Sequence, residues 1–449
     1  MVYGLRSRTI RALCIAAAVA ISASACGSSK KLANNPGTTV PGTTDPTTTA
    51  TGSTGTGNCS SGNTASGPGV TPTTIKLGLI TSLTGVEGEQ FNPGAQQGAD
   101  ARIKVQNAEG GVDCRQLQMT VADDGSTPQG AATATSELLS KNIFALMTIS
   151  GVYVGGYRLA HQAGVPVVGA AVDGPEWGEQ PNTNMFSVAG DQGAVPAVST
   201  LMPNVMKLLG ATNAAALAYG NSAASSFSAE AFVAGAKLAG LHVGYTNYSI
   251  PLGSLDVTPV ALAMKQAHID SFYAAMIEDT NFALLTDLHQ EGATLNAPLL
   301  ATGYGSTLFS DSEAAATAQG AVFEVSQVPV ELHTSATEAE QAAFAKYEKF
   351  TAIPNLNWTY GWTVADLMIK GLEVAGQNPT RQSFMTALRG VTGYNAGGLY
   401  PRPLDLSLAD FGKTPTSEAC EYFVQVEGKQ FVVLNNNQPV CGTQKPFSS

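Results

Sequence analysis

Short apolar runs typical of β-strands alternate with longer segments of helical periodicity between residues 75 and 301. The runs predict strands at Ile75–Thr81, Leu117–Ala122, Ile143–Ile149, Val165–Gly169, Ala214–Tyr219, His242–Ile250, Ser271–Ala275 and Leu299–Ala301. The helices predicted around them are Pro93–Asn107, Pro128–Lys141, Gly155–Ala163, Gly193–Leu209, Ser226–Ala239, Val257–Ala267 and Asn281–Gln290. This alternation is typical of βαβ units and parallel sheets.

The pattern changes after Ala336. Longer helices are predicted at Thr337–Thr351, Tyr360–Ala375 and Thr380–Leu388, followed by a hairpin with strands Glu421–Val426 and Gln430–Leu434 around Glu427-Gly428. The preceding βαβ units are too many for one small sheet, and fit either two sheets or one barrel. A barrel of eight βα units does not close with helices and a hairpin, so the pattern favours an α/β fold with two lobes.

The first 25 residues have the features of a secretory signal. Arg6, Arg8 and Arg11 precede a short apolar run, Leu13–Ile21, which is too short to span a bilayer. The sequence Ala-Ser-Ala-Cys at residues 23–26 resembles a bacterial lipobox, which predicts cleavage after residue 25 and lipidation of Cys26; an ordinary signal with a nearby cysteine is the alternative. No later segment reaches ~18 uninterrupted apolar residues, so the lipid is the expected membrane contact.

Residues 26–72 are expected to form a flexible linker. Between residues 34 and 72, 29 of 39 positions are Thr, Ser, Gly or Pro, and Asp45 is the only charged one. Such a segment cannot bury enough apolar surface to offset its conformational entropy. We therefore expect a disordered stalk that holds a folded body, residues 73–449, away from the membrane.

Composition excludes some partners and predicts the redox compartment. The 449 residues contain 23 Lys and Arg against 34 Asp and Glu, which leaves little basic surface to neutralise the phosphates of a nucleic acid. Four cysteines follow Cys26 and predict two disulfides, for which three pairings exist. Because two of them precede neighbouring predicted strands and two flank the hairpin, we favour Cys59–Cys114 and Cys420–Cys441. A zinc site is the rival, but the sequence has no C-x-x-C.

Motifs for catalysis are absent from the sequence. G-x-S-x-G, H-E-x-x-H and C-x-x-C do not occur, so we expect neither an enzyme nor a bound cofactor or metal. Asp123 and Asp124 end a predicted strand and are a candidate metal or acid/base pair. Carboxylates at such a position more often cap the loop that follows, and we favour that interpretation.

Several segments in order carry a resemblance to a known family. They are residues 75–85 (Ile-Lys-Leu-Gly-Leu-Ile-Thr-Ser-Leu-Thr-Gly), Gly94-Ala95 leading a helix to residues 107–112, Ala163-Gly164-Val165-Pro166, Tyr360-Gly361-Trp362 and Asn378-Pro379-Thr380-Arg381. The chain resembles the Leu/Ile/Val-type solute-binding proteins of ABC importers over essentially all of residues 73–449. The resemblance implies two Rossmann-like lobes joined by three crossovers. Lobe 1 would comprise residues 73–190 and 325–400, and lobe 2 residues 191–324 and 401–449.

The resemblance also implies a ligand site in the cleft between the lobes. Ser150, Gly151 and Val152 would offer a hydroxyl and backbone N–H groups to a ligand carboxylate, although Ser150 is also a candidate helix N-cap. Ala171 and Asp173 would complete that binding site. Asp173 departs from the family, which usually has Thr or Ser there, and a carboxylate would repel a ligand carboxylate unless protonated or paired.

Lobe 2 shows further departures. The amine-binding Glu of the family, expected near Tyr304, is missing, and its aromatic pair becomes Ile277 and Glu278. Phe91 and Tyr304 are candidate lining residues, as are Tyr153, Tyr157 and Trp177. Two interpretations stay open: Asp173, with Glu278 or Asp279 in reserve, binds an amine in a new position, or the ligand is not an α-amino acid but a polyol, an amide, or an aromatic or terpenoid compound.

The function implied is capture of a small solute. We expect a lipoprotein on the outer face of a bacterial cell membrane that delivers its ligand to an ABC permease with ATPase subunits. Hinged closure of the lobes over the ligand is the expected mechanism. The alternative is a ligand-sensing receptor module of the same fold that is not coupled to import.

Overall fold

The computed structural model describes residues 62–172, 174–178, 181–188, 197–409, 411, 413 and 418–447. The expected signal, Cys26, Cys59 and nearly all of the expected stalk lie outside these residues. The strands are β1 (Thr74–Thr81), β2 (Gln116–Asp123), β3 (Ala145–Ile149), β4 (Val167–Gly169), β5 (Met185–Ser187), β6 (Ala197–Ser199), β7 (Asn213–Tyr219), β8 (His242–Ile250), β9 (Ser271–Ala275), β10 (Ala297–Leu300), β11 (Val322–Val325), β12 (Ala419–Glu427), β13 (Gln430–Val433), β14 (Val440–Gly442) and β15 (Gln444–Pro446).

The helices alternate with these strands. They are α1 (Gly88–Phe91), α2 (Ala95–Ala108), α3 (Pro128–Ser140), α4 (Tyr157–Gln162), α5 (Leu201–Leu208), α6 (Ala223–Ala239), α7 (Thr258–Gln266), α8 (Glu278–Gln290), α9 (Ser312–Thr317), α10 (Ser335–Ala343), α11 (Leu356–Ala375) and α12 (Arg381–Leu388). Among the described residues, none of these helices combines the length and apolar character needed to cross a membrane.

Lobe 1 is built on a five-stranded sheet with the order β2-β1-β3-β4-β5, in which every pair is parallel. Helices α2 and α11 pack together over one face, with α12 beside them. Their backbones approach so closely that a Cβ on Gly98 would lie 2.0 Å from the carbonyl oxygen of Trp358, and one on Gly361 would lie 2.4 Å from that of Ala95. Glycine at both positions therefore permits this crossing.

Lobe 2 repeats the strand order of lobe 1 and then extends it. Its sheet has the order β8-β7-β9-β10-β11, all parallel, continued by the antiparallel strands β12 and β13. β14 pairs with β12, and a disulfide joins Cys420 to Cys441 at directly opposite positions. This confirms the predicted Cys420–Cys441 pairing. Cys114 is also disulfide-bonded, whereas its expected partner Cys59 lies outside the described residues.

The shared strand order gives each lobe one switch point, where the chain direction across the sheet reverses. In lobe 1 this point lies between β1 and β3, and in lobe 2 between β7 and β9. The chain passes between the sheets after β5, after β11 and before β12. Two Rossmann-like lobes joined by three segments confirm the predicted fold class. The exact domain boundaries drawn from the sequence stay predictions.

Two predicted helices have other bounds in the structure, and several short strands were not predicted. The helix predicted at Gly193–Leu209 begins only at Leu201, because β6 (Ala197–Ser199) pairs antiparallel with β15 near the end of the chain. The short strands β5, β11, β14 and β15 were also missed. The helix predicted at Thr337–Thr351 is α-helical only as far as Ala343. A π-helix over Phe344–Glu348 follows it and ends at Lys349, whose φ is 59°.

A buried arginine ties the start of the described chain to lobe 1. The Arg115 side chain has no exposed surface, and its guanidinium donates to the carbonyl oxygens of Thr64, Thr71 and Gln377 and to Oδ1 of Asn378, at 2.5–3.1 Å. Asn378 in turn accepts from the N–H of Thr64 at 2.9 Å. The segment before β1 is therefore held on the body by a network to which Arg115 contributes together with Asn63, Ser66 and Asn378.

Candidate ligand-binding site

A cavity of about 280 Å³ lies between the two lobes, at the carboxyl ends of the parallel strands. Its lobe-1 wall comes from the loops after β1, β3 and β4 and from the start of α11, and its lobe-2 wall comes from the loops after β7, β8, β9 and β10 and from β11. Both switch points therefore open into one cleft, which is where α/β sheets of this topology bind ligands. The polar and aromatic lining residues are Glu87, Gln90, Phe91, Tyr219, Ser222, Ser225, Ser228, Tyr273, Glu278, Thr302, Tyr304, Phe323, Glu324, Asn355, Asn357 and Tyr360.

Asp124 organises the lobe-1 wall. Its carboxylate is 1% exposed and accepts hydrogen bonds from Ser82 Oγ at 2.7 Å, Ser150 Oγ at 2.6 Å and the N–H of Ser126 at 2.8 Å. The neighbouring Asp123 accepts from the N–H groups of Leu83 and Gly125, both at 2.9 Å. The loop-capping interpretation of these two aspartates is confirmed.

Glu87 lies on this wall and faces Gly151. A Cβ built on Gly151 would lie 2.7 Å from Oε2 of Glu87, so the carboxyl group sits directly against the backbone after β3. Burial and the Asp124 carboxylate raise the pKa of Glu87 to about 7, against smaller opposing effects of Ser82 and the Gly151 N–H. A carboxyl group with such a pKa changes its charge readily near neutral pH.

Neutral hydroxyl groups hold the lobe-2 wall. The Tyr219 hydroxyl donates to Thr280 Oγ1 at 2.8 Å and accepts from the N–H of Ile277 at 3.1 Å, which fixes the start of α8. Ser225 Oγ accepts from the N–H of Tyr219 at 2.9 Å and donates to the carbonyl oxygen of Ala275 at 2.5 Å. The ends of β7 and β9 are thus joined through side-chain hydroxyls.

Two further carboxyl groups reach the cleft from lobe 2. Burial, with the neighbouring Asp279, raises the pKa of Glu278 at the first turn of α8. Burial and the adjacent Glu421 carboxyl raise the pKa of Glu324 well above its usual range. Burial is the main cause of the raised pKa of the Tyr273 phenol, and the nearby carboxyl groups of Glu324 and Glu421 raise it further. Acidic groups with a suppressed tendency to ionise therefore occupy both sides of the cleft.

A second cavity of about 250 Å³ adjoins the first and shares Gln90, Glu278 and Asn355 with it. It lies between the loop around α1 and the loops at residues 277–279 and 306–307, and the stacked rings of Phe350 and Trp358, 4.2 Å apart, border it. We call it the vestibule. It adds the acidic side chains of Glu89 and Asp279 to the approach to the cleft.

The family model described as periplasmic binding protein matches residues 74–430, which is most of the chain. The chain belongs to the periplasmic binding protein family. No curated protein sequence matches this periplasmic binding protein.

Solved structures of similar proteins agree with its two-lobed fold. A fatty acid ABC transporter substrate-binding protein from Thermomonospora curvata has a TM-score of 0.68 and 19% identity, over 83% of this chain and 94% of that one. A solute-binding protein of an R. palustris ABC transporter, in complex with benzoate, has a TM-score of 0.66 and 16% identity, over 82% and 97%. A branched-chain amino acid ABC transporter protein from Thermus thermophilus with bound valine has a TM-score of 0.67 and 16% identity, over 82% and 96%. At these identities the likeness establishes the fold.

Five of the residues predicted from the sequence line the cleft of this binding protein: Phe91, Gly151, Ile277, Glu278 and Tyr304. The Tyr304 hydroxyl donates to Glu331 Oε2 at 2.9 Å, and its ring packs on Phe431 with centroids 4.7 Å apart. The roles of these five lining residues in ligand binding stay predictions.

Other predicted residues lie beside the cleft or outside its described lining. Ser150 is 2% exposed, and its hydroxyl donates to Asp124 while accepting from the N–H of Val152 at 3.1 Å. Ala171 packs beside the core of lobe 1, and Asp173 lies outside the described residues. The aromatic candidates Tyr153, Tyr157 and Trp177 are core residues of lobe 1. The helix expected to follow Ser150 begins only at Tyr157, after a 3-10 turn at Tyr153–Gly155.

Sequence reasoning missed Glu87 and Glu324, together with Tyr273, Asn357 and Tyr360 as lining residues. Glu87 lies in a short loop between Gly85 and Gly88 that has no periodicity to place it. Glu324 interrupts the apolar run Val322–Val325, which is only four residues long, so the sequence pattern did not predict a strand there. Tyr360 carried a usable signal, since its motif opens a long predicted helix.

Proposed function

We propose that this protein is the substrate-binding lipoprotein of an ABC importer, which captures a small organic solute outside the cytoplasm and delivers it to a membrane permease. The observation that supports this most strongly is one cavity of about 280 Å³ lined by loops from both lobes. A site shared in this way couples the position of the lobes to the presence of a ligand.

Closure is the proposed mechanism. A ligand bound to one wall gains contacts to the other when the lobes approach, so binding favours the closed state by its extra affinity for that state. Closure also excludes water, which strengthens the contribution of each polar contact to discrimination between solutes. The permease would then recognise the closed form. Family membership, and the benzoate and valine bound in two of the similar structures, support binding without turnover.

Lipidation of Cys26 is the proposed means of attachment. Acyl chains contribute about 0.8 kcal/mol per buried CH₂, and more than one chain is needed for stable anchoring. Expression with a labelled fatty acid tests this directly. We expect label on the wild-type protein and none on Cys26→Ser, with the total amount of secreted protein as the control; label that persists in the variant would contradict the attachment.

Scattering tests the binding function. The protein is purified from its own host, the solutes released on unfolding are identified by mass spectrometry, and solute-free refolded protein is measured with and without them. We expect the radius of gyration to fall when the solute is added back. A buffer blank and an unrelated solute are the controls. Superimposable curves with a solute that calorimetry shows to bind would contradict closure, and the absence of any bound solute would contradict capture.

A further inference from the structure

The unpartnered side-chain atoms that line the cleft are acceptors. Oε2 of Glu87 and Oε1 of Gln90 have no exposed surface and no hydrogen-bond partner among the described residues, and both side chains line the cavity. Buried polar atoms in proteins are normally paired, and an unpaired one at a binding site indicates the group that a ligand supplies. For the Gln90 oxygen, and for Glu87 in its ionised form, that group is a hydrogen-bond donor.

Any charge that the described lining carries is negative, although burial raises the pKa of all three of its carboxyl groups. Glu87, Glu278 and Glu324 contribute carboxyl groups, and the described lining contains no Lys, Arg or His. In the vestibule, Glu89 and Asp279 again occur without any basic side chain among the described residues. A cleft of one charge sign with low-dielectric walls concentrates ligands of the opposite sign.

A carboxyl group of the protein already occupies the position after β3 at which the family resemblance implies a ligand carboxylate. The Glu87 carboxyl lies against Gly151, and the Ser150 hydroxyl donates to Asp124 at 2.6 Å. A second carboxylate there would meet two acidic groups of the protein without a compensating cation from the described lining. Like charges at such a distance disfavour the ionised form, so a ligand carboxylate would be repelled.

Aromatic rings supply the rest of the lining. Phe91, Tyr273, Tyr304, Phe323 and Tyr360 are each less than 10% exposed and border the cavity. Aromatic faces attract cations through the ring quadrupole, and they also cover apolar carbon. This combination suits a positively charged group attached to an apolar portion.

We propose that the cleft binds an organic cation, an amine or ammonium compound with an apolar portion and without a carboxylate. This assignment rests on the proposed capture of a solute and names its chemical class. It takes one part of each interpretation left open by the sequence: the ligand carries a cationic nitrogen, and it is not an α-amino acid.

The protonation of the carboxyl groups agrees with this assignment. Burial holds the pKa of Glu87 at about 7 and raises those of Glu278 and Glu324, because each would otherwise be a charge removed from water without a counterion. A bound cation favours their ionised forms, so binding releases protons. The groups that face Glu87 are Asp124, Ser82 and the Gly151 N–H. The affinity for the cation should therefore fall as the pH is lowered below about 7.

Fractionation by charge tests the proposal even while the compound is unidentified. Extract of the host is separated at pH 7 into fractions retained by a cation exchanger, retained by an anion exchanger, and unretained. Each is added to solute-free protein, and the unfolding temperature is measured. We expect the cation-exchange fraction to raise it. A rise only with the anionic fraction, or only with the unretained fraction that holds neutral solutes and zwitterions such as valine, would overturn the organic cation and leave solute capture intact. No rise with any fraction would count against capture itself.

Charge-neutral variants test the site. Glu87→Gln and Glu278→Gln should each weaken binding of the active compound, once purified from its fraction, by at least tenfold at pH 8. Glu109→Gln removes the same charge from an exposed position at the end of α2 and should bind like the wild type. If both cleft variants bind as Glu109→Gln does, while their unfolding temperatures match the wild type, the site assignment is wrong.

Discussion

The two walls of the cleft share one strand order but differ in chemistry. In lobe 1 the loops after β1 and β3 meet through the ionisable side chain of Asp124, which joins Ser82 to Ser150. In lobe 2 the loops after β7 and β9 meet through the neutral hydroxyls of Tyr219 and Ser225. Strand order therefore decides where the cleft lies, and the loops decide what it can bind. The difference also predicts unequal energies for equivalent substitutions.

The largest effect is expected for Asp124→Ala. The substitution leaves two buried hydroxyls and one N–H without their acceptor. Hydrogen bonds to a charged group contribute about 1.5–3 kcal/mol each, so we expect a loss of at least about 4.5 kcal/mol. All three tryptophans, Trp177, Trp358 and Trp362, belong to the cores of lobe 1, so urea denaturation followed by Trp fluorescence reports on this lobe. Glu109→Ala at the exposed end of α2, in the same lobe, is the control, and an equal loss there would remove the distinction.

A pH-dependent effect is expected for Glu87. Its pKa is raised from 4.5 to about 7 in the folded protein, so the folded state keeps a proton that the unfolded state releases within that window. The free energy of unfolding without ligand should therefore fall as the pH rises from 4.5 to 7, by about 3 kcal/mol from this group.

In Glu87→Gln this part of the fall should disappear, measured by urea denaturation at several pH values. The exposed Glu109→Gln should keep the wild-type dependence. A Glu87→Gln curve that follows the wild type would show that Glu87 ionises in the same way in both states.

Removal of the Ser150 hydroxyl sharpens the comparison. Ser150→Ala loses a hydrogen bond to a carboxylate and a bond from the N–H of Val152, and we expect a loss of about 2 kcal/mol in the Trp-detected transition. A loss well below about 1 kcal/mol would indicate that the Asp124 network does not depend on this hydroxyl.

The smallest effect is expected for Tyr219→Phe, the matched deletion in lobe 2. Its hydroxyl bonds to neutral groups, which are Thr280 Oγ1 and the backbones of Ile277 and Gly253, so the expected loss is about 1 kcal/mol. Circular dichroism is the suitable measurement, because the tryptophans lie in lobe 1. A loss larger than that of Ser150→Ala would reverse the proposed contrast between loops joined by a carboxylate in lobe 1 and loops joined by neutral hydroxyls in lobe 2.

Much of the fold could be predicted because its signals are local. The predicted His242–Ile250 and Ser271–Ala275 coincide with β8 and β9, and Pro128–Lys141 differs from α3 by one residue. The failures have non-local causes. β6 exists because Ala197–Ser199 pairs with residues more than 240 positions away, and no pattern within the segment reveals such a partner.

The site was harder to predict than the fold. Glu278 and Tyr304 were named because they stand where the related proteins place ligand contacts. Glu87 and Glu324 were not, because their importance arises from burial and from neighbours, Asp124 and Glu421, that only the folded chain brings close. Ser150 was named as a ligand contact, which stays a prediction, and its bond to Asp124 could not be read from residue types alone.

The Arg115 network has a mechanical consequence. Its four bonds join Thr64 and Thr71, at the start of the described chain, to Gln377 and Asn378 between α11 and α12. A pull exerted on the chain before residue 62 would thus be transmitted into lobe 1, while lobe 2 bears none of the load directly. In the proposed closure, lobe 1 would stay fixed to the chain that precedes it, and lobe 2 would move relative to lobe 1.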